Sequence, residues 1–289
     1  MTAQPYRELF YTTQDGLRLF ARDYGARASR KVPVICLPGL TRTSRDFDTL
    51  AQRLGATRRV LCADLRGRGR SQHCESWTDY TPANEMLDIF DLMGAAGIHK
   101  AALVGTSRGG IVSMLMAAQR PNAVAGVVFN DIGPEIEIAG LKRIAGYAGV
   151  GDAPKDWTEA AIRLRMANER EFPNLTSEQW YAHARRTFAE ENGAPRIDYD
   201  AKIGAALRKG LEAANGPLPD MWAQFKAVSH VPALVLRGEN SDILAAETAK
   251  RMVSAHPDMV SITVRDRGHV PFLDEPEAVA ALDAFFERI

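Results

Sequence analysis

The sequence predicts an α/β fold built on a mostly parallel sheet, and three observations carry that expectation. Short, fully apolar runs of strand length alternate with helical stretches, the pattern of parallel strands covered on both faces. The alternation stops near Gly133 and resumes near residue 230, so the stretch between reads as an insertion into one domain. A Gly-x-Ser-x-Gly pentapeptide, Gly105-Thr106-Ser107-Arg108-Gly109, stands where an apolar run gives way to a helical pattern. That is the form of a nucleophile elbow.

In chain order, Leu9–Thr13 and Leu17–Tyr24 are strands flanking Asp15-Gly16, a strong hairpin-turn signal. Val32–Leu37 is a short apolar strand that ends at Pro38-Gly39. Asp46–Leu54 is helical, and Arg59–Leu65 is an apolar strand that runs into Arg66-Gly67-Arg68-Gly69. Thr81 caps a helix to Ala96, with Pro82 suited to its first turn. Lys100–Thr106 is a strand, Arg108–Gln119 a helix and Val124–Asn130 a strand. The block Pro134–Val228 is helical, charged and interrupted, with Trp157, Phe172, Trp180, Tyr181, Phe188 and Trp222 scattered through it. These aromatics either line a pocket or pack the insertion onto the body. Pro232–Arg237 and Val260–Val264 are the last strands, each followed by a helix, Ala245–Ala255 and Glu277–Phe286.

Composition narrows the function classes. The chain has 289 residues, 46% hydrophobic and 25% charged, as a soluble globular protein has. Its 36 basic and 36 acidic residues cancel, which argues against nucleic acid or an anionic membrane surface as partner. The one basic cluster, Arg66, Arg68 and Arg70, reads as a structural or solvated turn. Three cysteines, Cys36, Cys62 and Cys74, are an odd number without regular spacing and form no disulfide framework. A reducing, cytoplasmic setting fits them. Residues 1–8 lack the apolar stretch of a signal peptide, and no run reaches the length of a membrane span.

A serine hydroxyl needs a base beside it, and the base needs an orienting acid. In open parallel sheets such groups gather at the carboxyl ends of strands. Among six histidines, His269 lies just past a strand end behind a glycine. His99 and His230 precede strands, His183 and His256 belong to helical stretches, and His73 lies in a polar loop. Two aspartates compete as the acid. Asp242 follows Pro232–Arg237, and Asp131 follows Val124–Asn130; both satisfy the order Ser, Asp, His. Asp242 is preferred, with Asp131 the alternative. Backbone N–H groups for an oxyanion are expected from Arg108, which follows the serine, and Leu40, where Gly39 lets the chain turn inward. The Arg108 side chain is expected to reach an acidic neighbour or solvent.

Taken together, Leu37-Pro38-Gly39-Leu40, Asp64-Leu65-Arg66-Gly67-Arg68-Gly69-Arg70-Ser71, Gly105–Gly110, Leu236–Asp242 and Gly268-His269-Val270-Pro271-Phe272-Leu273 resemble the α/β-hydrolase superfamily. They look like its esterase, enol-lactonase and carbon–carbon hydrolase branch. The resemblance implies an eight-stranded, mostly parallel sheet with helices on both faces and a helical cap inserted after the sixth strand. Residues 1–133 and 229–289 would be the core and 134–228 the cap. It implies Ser107 as nucleophile, Asp242 as orienting acid and His269 as base. Pro38 departs from the His-Gly dipeptide of many members. A serine at 107 argues against the haloalkane dehalogenase and epoxide hydrolase relatives, which use aspartate.

The expected chemistry is acyl transfer from a small ester or lactone to water through an acyl-enzyme, with no metal or organic cofactor. Gly67-Arg68-Gly69-Arg70-Ser71 lacks the Gly-Lys-Ser/Thr ending of a phosphate loop. A carbon–carbon bond hydrolase, a cofactor-free acyltransferase and a non-catalytic ligand receptor are the alternatives on the same fold.

Overall fold

The computed structural model describes residues 5–214 and 218–289. Its strands are β1 (Arg7–Thr12), β2 (Arg18–Tyr24), β3 (Val34–Leu37), β4 (Val60–Asp64), β5 (Ala101–Thr106), β6 (Val124–Asn130), β7 (Ala189–Glu191), β8 (Ala194–Arg196), β9 (Ala233–Gly238) and β10 (Met259–Val264). Helices α1 (Asp48–Gly55), α2 (Pro82–Ala96) and α3 (Arg108–Gln119) precede β6. Between β6 and β9 lie α4 (Ile138–Tyr147), α5 (Trp157–Asn168), α6 (Ser177–Thr187), α7 (Lys202–Ala214) and α8 (Trp222–Lys226). Two more, α9 (Ala246–Ala255) and α10 (Pro276–Glu287), follow β9 and β10.

Eight strands form one sheet in the order β1-β2-β4-β3-β5-β6-β9-β10. β2 is antiparallel to both β1 and β4, and every later pairing is parallel. The β1–β2 hairpin closes at Asp15-Gly16, where Gly16 takes φ +87°, a left-handed backbone that glycine adopts without steric cost. Alternate residues of the buried strands point to opposite faces. Ile35, Leu37, Leu61, Leu103, Val127, Phe129 and Val235 share a core with the apolar sides of α2, α3 and α9. Val34, Cys36, Val60, Cys62, Val104, Val128, Leu234 and Leu236 share the other core with Phe47, Leu50 and Leu54 at α1 and with Leu282, Phe285 and Phe286 of α10. Each fully buried side chain of this kind contributes roughly 1.5–3 kcal/mol.

The connections place the site. β3 has β4 on one side and β5 on the other, so the chain leaves the middle of the sheet in two directions. Ligands bind in the crevice at the carboxyl ends of strands at such a switch. The loop 38–40 follows β3 and Ser107 follows β5, so both border this crevice. β6 and β9 are paired neighbours, and residues 131–232 leave and return between them. The stretch is not wholly helical: β7 and β8 form a two-stranded hairpin through Asn192 and Gly193, at φ +51° and +82°. Its last helix, α8, returns to the body, where Phe225 is buried and its ring lies 6.0 Å from that of Phe129.

The arginine-glycine turn after β4 is structural. Arg66 is buried and makes a two-pronged pair with Asp88 of α2 at 2.6 and 2.7 Å. Arg68 is also buried, 2.9 Å from Glu85, and its Nε–H donates to the Leu40 carbonyl at 2.8 Å. Arg70 is exposed and pairs with Glu8. The same turn holds the insertion: Gly69 N–H donates to Asp198 O, and Asp200 N–H to Gly67 O, each at 2.8 Å. All three cysteines are buried and free. Among the described residues, no helix is long and apolar enough to cross a membrane.

Candidate active site

Ser107 sits in a turn that only its glycine neighbours permit. Its φ of +49° lies in the left-handed region, where a non-glycine residue is strained. A Cβ on Gly105 would lie 2.5 Å from the Gly109 carbonyl oxygen, and one on Gly109 would lie 2.1 Å from that of Leu37. A Cβ on Gly110 would meet Ile132 Cγ2 at 2.2 Å. Strand, turn and helix therefore approach more closely than side chains allow. Ser107 occupies the N-cap position of α3, yet its side chain makes no capping bond. The hydroxyl is left for another partner.

That partner is His269. Ser107 Oγ lies 2.8 Å from His269 Nε2. His269 Nδ1 lies 2.8 Å from Asp131 Oδ2. An ionised carboxylate can only accept, so the Nδ1 proton is on the imidazole and Nε2 faces the serine as acceptor. The side chains of His269 and Asp131 are 7% and 0% exposed, which removes competing water from the contact. Asp131 is held at both oxygens: Gly238 N–H donates to Oδ1 at 2.9 Å, and Ser241 Oγ–H to Oδ2 at 2.6 Å.

The preferred acid, Asp242, is not in this relay. It forms a two-pronged pair with Arg143 of α4, at 2.6 and 2.8 Å. Burial pushes its carboxyl up, but Arg143 outweighs that and holds it below the usual carboxylate range. The physical reason for the correction is the direction of the β9–α9 loop. Ser241 N–H bonds back to Gly238 O at 3.0 Å, so Ser241 faces Asp131 while Asp242 faces α4. Asp131, the alternative, follows β6, which lies directly between β5 and β9.

The expected oxyanion donors flank the serine, Leu40 in the loop after β3 and Arg108 at the start of α3. Among the described residues, neither Leu40 N–H nor Arg108 N–H has a protein acceptor. Gly39 does not use left-handed backbone. Its missing side chain instead keeps space beside the nucleophile, since a Cβ there would stand 3.8 Å from Ser107 Cβ. The Arg108 side chain turns away to Glu85 Oε2 at 2.6 Å and the Tyr80 carbonyl at 2.9 Å. Burial pushes Glu85 up, but Arg108 and Arg68 together hold it below its ordinary value.

A cavity of about 330 Å³ opens over Ser107 and His269. Leu40, Ile144, Leu164, Phe172, Phe188 and Phe272 give it apolar walls contributed by both the body and the insertion. Of the scattered aromatics, Phe172 and Phe188 line it. Trp180 is buried behind Phe172, edge to face at 6.2 Å. Trp157 carries Arg185 over its ring, Trp222 packs on Phe225, and Tyr181 is exposed. His183 also lines the cavity, which its helical setting does not announce. Burial, then Arg42 and Arg186, push its imidazole well below its ordinary value, so it is neutral there. The other histidines lie elsewhere. His230 bonds to the Ala227 and Pro121 carbonyls, His256 to the Val228 carbonyl, and His73 is 3.7 Å from Asp200.

Comparison with known proteins bears on the family and the fold. A model of the alpha/beta hydrolase family matches residues 34–282. A 3-hydroxybutyrate-oligomer hydrolase of Cupriavidus necator is 31% identical over 274 residues, 93% of this chain and 92% of that protein. A 2-(acetamidomethylene)succinate hydrolase of Mesorhizobium japonicum is 26% identical over 80% of this chain and 79% of its own length. The crystal structure of an alpha/beta hydrolase from Novosphingobium aromaticivorans is 41% identical and superposes with a TM-score of 0.92, covering 99% of this chain and 100% of that one.

Proposed function

The chain belongs to the alpha/beta hydrolase family, and from that premise we propose that it is a serine hydrolase of small carboxylic esters or lactones. The observation that carries this reading is the unbroken line Ser107 Oγ, His269 Nε2, His269 Nδ1, Asp131 Oδ2, with both contacts at 2.8 Å. As Ser107 attacks the carbonyl carbon, its proton passes to His269 Nε2. The tetrahedral oxyanion is held by the N–H groups of Leu40 and Arg108, whose donors are pre-set by the β3 loop and the start of α3. Asp131 fixes the imidazole tautomer and stabilises the imidazolium. His269 then gives its proton to the leaving alkoxide. A water molecule, deprotonated by the same nitrogen, attacks the acyl carbon; the Ser107 Oγ–acyl bond then breaks, His269 returns the proton to Oγ, and the acid is released.

The stretch between β6 and β9 acts as a cap, because it supplies Ile144, Leu164, Phe172 and Phe188 to the cavity wall. A mostly apolar wall suits a short acyl chain or alcohol. The likeness to a 3-hydroxybutyrate-oligomer hydrolase favours esters of short hydroxy acids. Three free, buried thiols go with a cytoplasmic location.

The test is Ser107→Ala against p-nitrophenyl acetate and butyrate, and against hydroxybutyrate dimer and trimer. We expect a folded protein whose turnover falls by at least about a thousandfold. A fluorophosphonate should add one label to the wild-type chain, at Ser107, and none to the variant. Undiminished turnover by the variant would overturn the assignment.

A further inference from the structure

We propose that Ser241 is a positioning residue for the catalytic acid, a second hydroxyl in the site that sets Asp131 rather than attacking substrate. This rests on the serine-hydrolase reading above. Ser241 Oγ accepts two backbone donors, Ile243 N–H at 3.2 Å and Leu244 N–H at 3.0 Å. A hydroxyl has two acceptor lone pairs and one proton. With both lone pairs engaged, the proton is aimed at the remaining neighbour, Asp131 Oδ2, 2.6 Å away. The hydroxyl has no rotational choice left.

That proton does what Gly238 alone cannot. Gly238 N–H fixes Oδ1 at 2.9 Å, but the carboxylate can still swing about that anchor. Ser241 fixes the other oxygen, the one that receives His269 Nδ1–H at 2.8 Å. Two donors on Oδ2 and one on Oδ1 define the carboxylate plane and hence the plane of the imidazole. A hydrogen bond to an ionised acceptor is about twice as strong as a neutral one, so its loss matters at the reacting end of the relay. Ser241 lies on the β9–α9 loop, whereas Asp131 directly follows β6. The site therefore depends on a contact between two neighbouring strand ends that no local motif records.

Ser241→Ala removes the proton and nearly keeps the size. Because the acid acts after substrate is bound, kcat should fall by about tenfold to a hundredfold while KM stays within about twofold. Ser241→Thr keeps the hydroxyl and should recover most of kcat. The low-field proton resonance of the His269–Asp131 hydrogen bond should shift in the alanine variant and return in the threonine variant. Asp242→Asn disturbs the same loop without touching Asp131 and serves as the control, with kcat within about twofold of wild type. The proposal is overturned by a folded Ser241→Ala variant with unchanged kcat and resonance, or by equal losses in Ser241→Ala and Asp242→Asn. Ser107→Ala, run beside them, separates the two readings. If it retains turnover the hydrolase reading fails; if it is inactive while Ser241→Ala is unimpaired, only the positioning role fails.

Discussion

Asparagine substitution at position 131 puts the relay to its sharpest test. The three donors around Asp131 dictate what the amide would do. Gly238 N–H requires an acceptor at the Oδ1 position, 2.9 Å away. In Asp131→Asn, an amide that satisfies Gly238 places its NH2 at the Oδ2 position, facing Ser241 Oγ–H and His269 Nδ1–H. Donor would meet donor, so His269 would lose its Nδ1 proton and carry it on Nε2 instead. An imidazole with Nε2–H pointing at Ser107 cannot accept the serine proton. The expected loss in kcat is about 10⁴, about 5 kcal/mol of transition-state stabilisation, with the fold intact. The assay is p-nitrophenyl ester hydrolysis, with folding checked by circular dichroism and Tm. Asp242→Asn, in parallel, should remain within about twofold of wild type. A loss of more than about a hundredfold in Asp242→Asn, with Asp131→Asn retaining over about a tenth of activity, would refute the reasoning.

Three further outcomes follow from the same geometry. Ser107→Gly should abolish turnover yet raise stability by about 1 kcal/mol in urea unfolding, because φ +49° ceases to be strained; a destabilised variant would contradict it. Glu85→Gln should cost about 3–5 kcal/mol, because it leaves the buried Arg68 and the adjacent Arg108 without their counter-charge; a change below about 1 kcal/mol would show that the carboxylate is dispensable. For His183 the folded-state value lies below the unfolded one, so the unfolded chain gains the proton first as pH falls below about 6.5 and stability drops with it. His183→Leu should flatten that loss by about 1 kcal/mol between about pH 6.5 and 5.5, measured by denaturant titration at each pH; equal acid sensitivity in both proteins would count against a neutral His183.

The sheet is legible because buried parallel strands write themselves as short apolar runs. All eight runs assigned from the sequence pair in the sheet. The hairpin of β7 and β8 escapes such a reading although Asn192-Gly193 is a strong turn signal. Its strands, Ala189–Glu191 and Ala194–Arg196, are short and polar, with no period-two pattern to flank the turn. At the site, Ser107 and His269 are readable because local backbone geometry fixes each to a strand end. The choice between Asp131 and Asp242 is not. Both follow strands within a few residues, and what separates them is Arg143, 99 residues before Asp242 in sequence, which draws Asp242 to α4. His183 is equally hidden, since only tertiary packing brings that face of α6 over the nucleophile.

Asp131 combines two roles, a left-handed turn residue and a partner for histidine. Its φ is +55°, in the left-handed region that aspartate tolerates better than most side chains. Its N–H still bonds as a strand would, to Leu236 O of β9 at 2.8 Å. The residue is thus the last of the β6–β9 pairing and the first of the departure into the insertion. A left-handed turn there redirects the chain away from the sheet, and the side chain stays with the strand ends and reaches His269. An acid after β9 would have been anchored by a loop that also answers to α4 through Arg143. With the acid at the end of β6, the loop's contact with α4 is made by Asp242, and its contact with the relay by Ser241. The insertion can then be held by one residue, Asp242, and the imidazole oriented through its neighbour, Ser241, so that the β9–α9 loop ties α4 to the relay at two adjacent positions.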